Sequence, residues 1–326
     1  MFCNYGKISG VILSLAVSLM GSVGSAVAQE YPNRPIRFVV AQASGGAADV
    51  IARILAQKLS ESLGQQVIVD NRAGANGIIG VEAVAKAAPD GYTILLGSAP
   101  NLAVNSALYK KLPYDSVSDL APIALVGKAY YAVLVPVASP ANSLKDFIAL
   151  AKANPKNLNY GAGSSGARAN IEIFSSAAKI AMTHVPYKSN SQALMDIIGG
   201  RLDLIFETTT TAAPQIKTGK VKALALTSAE RLSQYPDIPT VSESGVPGYE
   251  YSSWVSVNAP AGIPVGIQQK LSSEIMKIVG KPEVIEQFRA LGFETRFGNP
   301  EQLTALLQAD IVSYKKAIKD ADIPQE

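Results

Sequence analysis

Apolar positions along this chain fall into two kinds of pattern, short unbroken runs and helical stripes. Ile36, Phe38, Val39 and Val40 lie in a run, 36–41, that reads as a buried strand. A loop of small residues follows at 42–48. Val50, Ile51, Ile54, Leu55 and Leu59 then share one face of a helix predicted over 49–63, which Gly64 stops. A second strand is expected at 67–69, a loop at 71–77, a helix at 78–87, a turn at Pro89-Asp90-Gly91 and a third strand at 93–96. Strands alternating with helices imply a parallel sheet with helices on its faces.

The same alternation resumes later. Strands are predicted at 132–135, 158–160, 183–185, 202–206, 222–227 and 254–259, and helices at 144–153, 168–179, 191–198, 265–279, 282–291 and 300–319. The pattern describes two α/β units of similar design, the first rebuilt by the C-terminal segment.

The N-terminus breaks this rhythm. Residues 1–10 are short and polar with one cation, Lys7. Residues 11–23 are mostly apolar, and Ala26-Val27-Ala28 places small residues before a cut at Gln29. That is the plan of a cleaved secretory signal peptide, 1–28; its apolar stretch is short of the roughly 20 residues a membrane span needs. Cys3, the one cysteine, leaves with it, so the exported chain has neither a disulfide framework nor a thiol nucleophile.

Charge excludes a further class. Lys and Arg total 29 and Asp and Glu 26; losing Lys7 leaves a formal +2, too balanced for a nucleic-acid binder with its clustered basic face. Nearly 300 residues exceed the usual single core, so two domains are expected.

Two loops carry candidate chemistry, 42–48 and 161–167. Each follows a strand, opens a helix and is rich in Gly, Ala and Ser. A helix start offers unpaired N–H groups and the positive end of the dipole, which suits an anion without any cation. The glycines either admit a ligand to the backbone or only make tight turns. Gly161-Ala162-Gly163-Ser164-Ser165-Gly166 satisfies G-x-G-x-x-G, but 181–187 supplies no acid for a ribose, which argues against a dinucleotide cofactor. No G-x-S-x-G elbow is present, and a single histidine, His184, makes a zinc site improbable. No catalytic residue, metal or cofactor is expected. Glu207, placed just past a strand end beside Thr208, either accepts a hydrogen bond from a ligand or caps the next turn.

Several motifs together resemble the Bug-type solute receptors of the tripartite tricarboxylate transporter family. They are Tyr31-Pro32-Asn33-Arg34-Pro35; Gly45-Gly46 with Asp49 and Ala52-Arg53; Leu63-Gly64-Gln65; Asp70-Asn71-Arg72; Pro89-Asp90-Gly91-Tyr92; Leu112-Pro113-Tyr114-Asp115; His184-Val185-Pro186-Tyr187-Lys188; and Pro236-Asp237-Ile238-Pro239. The resemblance runs from Tyr31 to about Gly248 and on toward the end. It implies a type II periplasmic-binding-protein fold, two α/β domains (29–127 with 249–326, and 128–248) joined by crossovers near Gly127 and Gly248. A small organic carboxylate, aromatic acid or amide would lie in the cleft, which closes on it like a flytrap, and would pass to the membrane subunits of a transporter from the periplasm. The two other outputs considered are a periplasmic enzyme acting on a carboxylate ester or amide, and a sensor subunit that presents its ligand.

Carried over by resemblance, the ligand-facing residues are Gln42, Ser44, Gly45, Gly46, Ala47 and Asp49 of the first loop. Ser98, Ala99 and Asn101 follow the third strand, and Ser164, Ser165, Gly166, Ala167 and Arg168 form the second loop. Several positions depart from the family pattern: Gln42 stands where proline is usual, Arg168 and Asn170 occupy a stretch that usually carries a histidine, and Glu207 replaces a common Asp. Arg168 is the sharpest candidate for specificity: it either makes a bidentate bond to carboxylate, or extends into solvent or pairs with a surface acid.

Overall fold

The computed structural model describes residues 31–321 and 323–325. The chain divides into a short unit, Met1–Asn33, of which only 31–33 are described, and a body, Arg34–Glu326, that holds every regular element of the described residues. The predicted signal peptide, with its cut after Ala28, lies outside the described residues.

The body opens with β1 (Ile36–Val40), α1 (Ala47–Leu63), β2 (Val67–Asn71), α2 (Ile78–Ala85) and β3 (Thr93–Ser98). After a π-helical turn at Pro100–Val104 come α3 (Asn105–Leu108), β4 (Leu120–Pro136), α4 (Leu144–Ala153), β5 (Asn159–Ala162), α5 (Ser165–Ala178), β6 (Thr183–Pro186), α6 (Asn190–Ile198), β7 (Leu204–Thr208), α7 (Thr209–Lys217) and β8 (Val221–Leu226). The chain ends with β9 (Ser252–Pro260), α8 (Val265–Val279), α9 (Pro282–Ala290), β10 (Phe293–Glu294) and α10 (Pro300–Asp320).

Local chemistry sets many of these boundaries. Gly64 ends α1 in the left-handed conformation, its N–H returned to the Ser60 carbonyl. Ser143 with Asp146 and Asn299 with Gln302 form capping boxes at the starts of α4 and α10, satisfying amides that the helix leaves unpaired.

The strands order as β2-β1-β3-β9-β4-β7-β5-β6, with β8 and β10 also on β4. β1 is parallel to β2 and β3, and β5 is parallel to β6 and β7, as the alternation predicts. The middle of the sheet differs from the parallel expectation: β9 runs antiparallel to β3 and β4, and β4 antiparallel to β7 and β8. The cause is β4, 17 residues long, of which the sequence pattern picks out only 132–135. Its first part, from Leu120 to Tyr130, pairs with β9, and its second part, from Tyr131 to Pro136, pairs with β7 and β8. One strand thus belongs to both sheet segments.

Thr227 fastens the second connection to that strand. Its Oγ1 accepts from the Tyr131 N–H at 2.9 Å and donates to the Tyr251 carbonyl at 2.7 Å. Val39, Leu95 and Leu102 from one segment and Val133, Phe174 and Phe206 from the other belong to one buried core. The carboxyl ends of β1, β3, β5 and β7 open into a common cavity.

Candidate functional site

Each strand that reaches the cavity hands its chain to a helix, and the small residues of those junctions make the wall. The cavity holds about 150 Å3. Gln42, Gly46 and Ala47 come from the β1–α1 loop, Ser98 and Asn101 from the end of β3, Gly163 and Ser164 from the β5–α5 loop, and Glu207 and Thr208 from the end of β7. Ligands of open α/β sheets bind at this place, beyond the carboxyl ends of strands.

The walls are held in place by side chains that bond to backbone. Asn101 Oδ1 accepts the Ser98 N–H at 2.9 Å, and Tyr114 Oη donates to the Asn101 carbonyl at 2.6 Å. Asn190 Oδ1 accepts the Gly163 N–H at 2.7 Å, tying the start of α6 to the second loop. A Cβ at Gly163 would overlap the Ser189–Asn190 backbone. The glycine of the G-x-G-x-x-G sequence is thus required by close packing of two loops, independent of any dinucleotide.

The helix starts differ in what remains free for a ligand. Ser164 and Ser189 cap α5 and α6, accepting from the Ala167 and Gln192 N–H groups. Gly46 at the start of α1 and Thr208 at the start of α7 give no side-chain cap. Two buried oxygens on the wall, Ser98 Oγ and Glu207 Oε2, have no hydrogen-bond partner in the structure. Buried polar groups ordinarily find partners, so these two oxygens carry unmet hydrogen-bonding capacity.

Glu207 and Lys188 are the charged residues of the wall. Glu207 lies in β7 opposite Ala132 of β4 and is 3% exposed. Its Oε1 accepts the Thr208 N–H at 2.8 Å and the Thr208 hydroxyl at 3.1 Å. Burial pushes its carboxyl up to about 7, against the pull of those two donors.

Of the residues expected to face a ligand, Gln42, Gly46, Ala47, Ser98, Asn101, Ser164 and Glu207 are on the wall. The others are placed elsewhere. Ser44 and Gly45 are exposed outside the wall, and Ala99 is buried behind it. Asp49 is buried within the first loop, where its Oδ2 accepts from the Gly45 N–H (2.9 Å), the Ser44 hydroxyl (3.2 Å) and Arg53 Nε (3.1 Å). Burial works to raise its carboxyl, but Arg53, the Gly45 amide and Asn71 together hold it below the usual range. Asp49 therefore holds the loop and does not face the cavity.

The residues of the second loop beyond Ser164 are likewise off the wall. Ser165 and Gly166 turn toward Pro100, and Ala167 is fully buried. Asn170 is buried against Tyr249, whose hydroxyl donates to the Asn170 carbonyl at 2.9 Å. Arg168 donates from Nε to Glu172 Oε1 at 2.8 Å, and Glu172 also takes the Tyr160 hydroxyl. The i,i+4 spacing on α5 makes that pairing, and Arg168 is off the wall.

The wall also takes in residues the sequence reasoning passed over: Lys188 and Asn190 before and at the start of α6, Thr208 and Thr211 around the start of α7, and Tyr131 from β4. The signal for the first four was present, since 187–191 and 207–211 are also strand-to-helix junctions rich in Ser, Thr and Asn. Tyr131 gives no such signal, because it lies just before the stretch, 132–135, that the sequence pattern picks out as strand.

The open, mixed α/β sheet with a cavity at its strand ends is a type II periplasmic-binding-protein fold. The chain belongs to the TctC family, the tripartite tricarboxylate transporter family receptors, whose model matches residues 51–323. Its relatives include BugT of Bordetella pertussis, 34% identical over 95% of this chain and 96% of that protein. Among solved structures, it is similar to R. palustris Rpa4515 with adipate, at a TM-score of 0.88 and 33% identity over 90% of this chain and 99% of the other. It is also similar to MatC of Rhodopseudomonas palustris with bound malate, at 0.83 and 29% identity over 88% and 100%. Among the described residues no helix is long and apolar enough to cross a membrane.

Proposed function

We propose that this chain captures a small organic carboxylate in the cavity and delivers it to the membrane subunits of a tripartite tricarboxylate-type transporter, without altering it chemically. The observation that carries the reading is the cavity's wall. Strand-to-helix junctions surround it, the start of α1 has no side-chain cap, and Ser98 Oγ has no partner. Amides at a helix start together with a hydroxyl suit a carboxylate. The solved relatives with adipate and with malate support the same ligand class.

The binding set in this reading is Gln42, Gly46, Ala47, Ser98, Asn101, Ser164 and Glu207, joined by Lys188 and Asn190. The domains are 29–127 with 249–326, and 128–248; the long β4 and the Thr227 ties are their crossovers, and a ligand touching both stabilises the closed form by its difference in affinity for the two forms. Residues 1–28 direct export and are cleaved off after Ala28.

Thermal unfolding of chain 29–326 against aliphatic and aromatic mono-, di- and tricarboxylates, amides, sugars and nucleotides tests the function, since binding raises the midpoint with ln(1 + [L]/Kd). A shift with one carboxylate class, the acid recovered unchanged by NMR, supports it. A shift only with nucleotides, or turnover of an ester or amide, overturns it.

A further inference from the structure

The cavity contains one feature that a simple anion site does not need, a buried acid. Glu207 spends Oε1 on Thr208 and leaves Oε2 without a partner. Among the described residues no ion pair is made to it. We propose that Glu207 sets the ligand class of this cavity: its Oε2 meets an oxygen of a carboxylate ligand as an O–H donor, so that the ligand is bound together with one proton. The inference rests on the carboxylate reading above and adds the form of the acid that accepts it.

The make-up of the wall points this way. The rest of the wall offers donors, from the amides at helix starts, Ser98, Asn190 and Lys188, and so suits an anion. An ionised Glu207 on the same wall would repel that anion, whereas the acid form adds one more donor. The position of its carboxyl, pushed up to about 7 by burial, makes the acid form accessible near neutral pH, and an anion beside it favours that form further. The proton comes from solvent and stays on Glu207; no covalent bond changes.

Among the titratable surroundings of Glu207, the one charge that shares its wall is Lys188, which is exposed. From β4 the neighbour is Tyr131, whose phenol is raised by burial and then by Glu207 itself, with Tyr130 and Lys128 further along the strand. From β5, Tyr160 bonds to Glu172. On α5, Arg168 and Glu172 pair with each other. Asp196 of α6 takes Tyr187 and Arg201. Lys217 of α7 is exposed, and Lys188 stands on the exposed part of the wall.

The test is calorimetry of the purified protein with adipate, malate, succinate and benzoate, in pairs of buffers with different ionisation enthalpies. For the acid that binds, Kd should weaken roughly 30-fold between about pH 6 and about pH 8.5, as the competent protonated fraction falls, and the heats should report uptake approaching one proton at the upper end. In Glu207→Gln, Kd should be the same at both pH values and the proton uptake should vanish. A wild-type Kd that is flat, or that tightens as pH rises, overturns the inference and leaves the carboxylate reading standing; tightening specific to ligands bearing an ammonium or amide would make Glu207 an ionised acceptor instead. Should the variant fail to fold, the wild-type heats alone decide. No binding of these four acids, nor of any other acid in the wider carboxylate panel, at any pH removes the carboxylate reading and this inference with it.

Discussion

Ser165 Oγ donates to the Pro100 carbonyl oxygen at 3.3 Å, joining the first turn of α5 to the turn that follows β3. The two residues come from different sheet segments, and their contact fixes how closely the β3 and β5 ends approach around the cavity. The next residue, Gly166, leaves no spare room: an added Cβ would sit 2.6 Å from Pro100 Cγ. Gly166→Ala should push these elements apart, destabilising the protein by about 1–3 kcal/mol and weakening ligand binding with it. Thermal unfolding with and without ligand checks both; an unchanged midpoint would mean the contact is not held in solution.

Gly163→Ala meets backbone instead of a proline ring. The new methyl overlaps the Ser189–Asn190 chain and displaces the Asn190 side chain from the Gly163 N–H. Backbone yields less readily than a side chain, so the cost should reach or exceed the upper end of about 1–3 kcal/mol, read as a fall in the urea midpoint.

Asp49 supports the first loop from behind. Asp49→Ala removes the acceptor shared by the Gly45 N–H, the Ser44 hydroxyl and Arg53. The expected loss is about 1–3 kcal/mol, with Asp49→Asn intermediate because it keeps one acceptor oxygen. Amide exchange should rise at 43–46 and stay unchanged in β9.

Glu207 should make stability fall with rising pH. Its folded carboxyl lies at about 7, above the ordinary 4.5. Below the ordinary value both states are protonated and the group has no effect. Between there and about 7 the unfolded chain ionises while the folded one holds its proton, so stability is lost as pH rises. Above that both are ionised and the loss levels off. Glu207→Gln, which carries no charge, should gain on the wild type across that window, seen as a growing difference in Tm.

Arg168 and Lys188 divide the roles expected of one cation. Arg168→Ala should leave carboxylate affinity within about twofold, since the guanidinium is spent on Glu172. Lys188→Ala should weaken it by about 0.5–1.5 kcal/mol. Titration calorimetry on both variants decides; a large loss at Arg168 alone would restore it to the site.

The sequence determined the alternation of strand and helix, the two glycine-rich loops at strand ends and the family, because local periodicity, caps and short motifs are carried by neighbours along the chain. Helix Leu144–Ala153 is read directly from the spacing of its own residues, with the bounds the structure shows. The tertiary structure alone decided three things. The helix Thr209–Lys217 forms although it opens with three Thr and contains Pro214, residues that locally disfavour helix, because Thr209, Thr210 and Ala212 are buried by packing. β4 runs as one strand through both segments because partners distant in sequence, β9, β7 and β8, pair with it. And Arg168 faces Glu172 while Glu207 stands on the wall, since side-chain direction and burial depend on what packs alongside, which no single stretch of sequence contains.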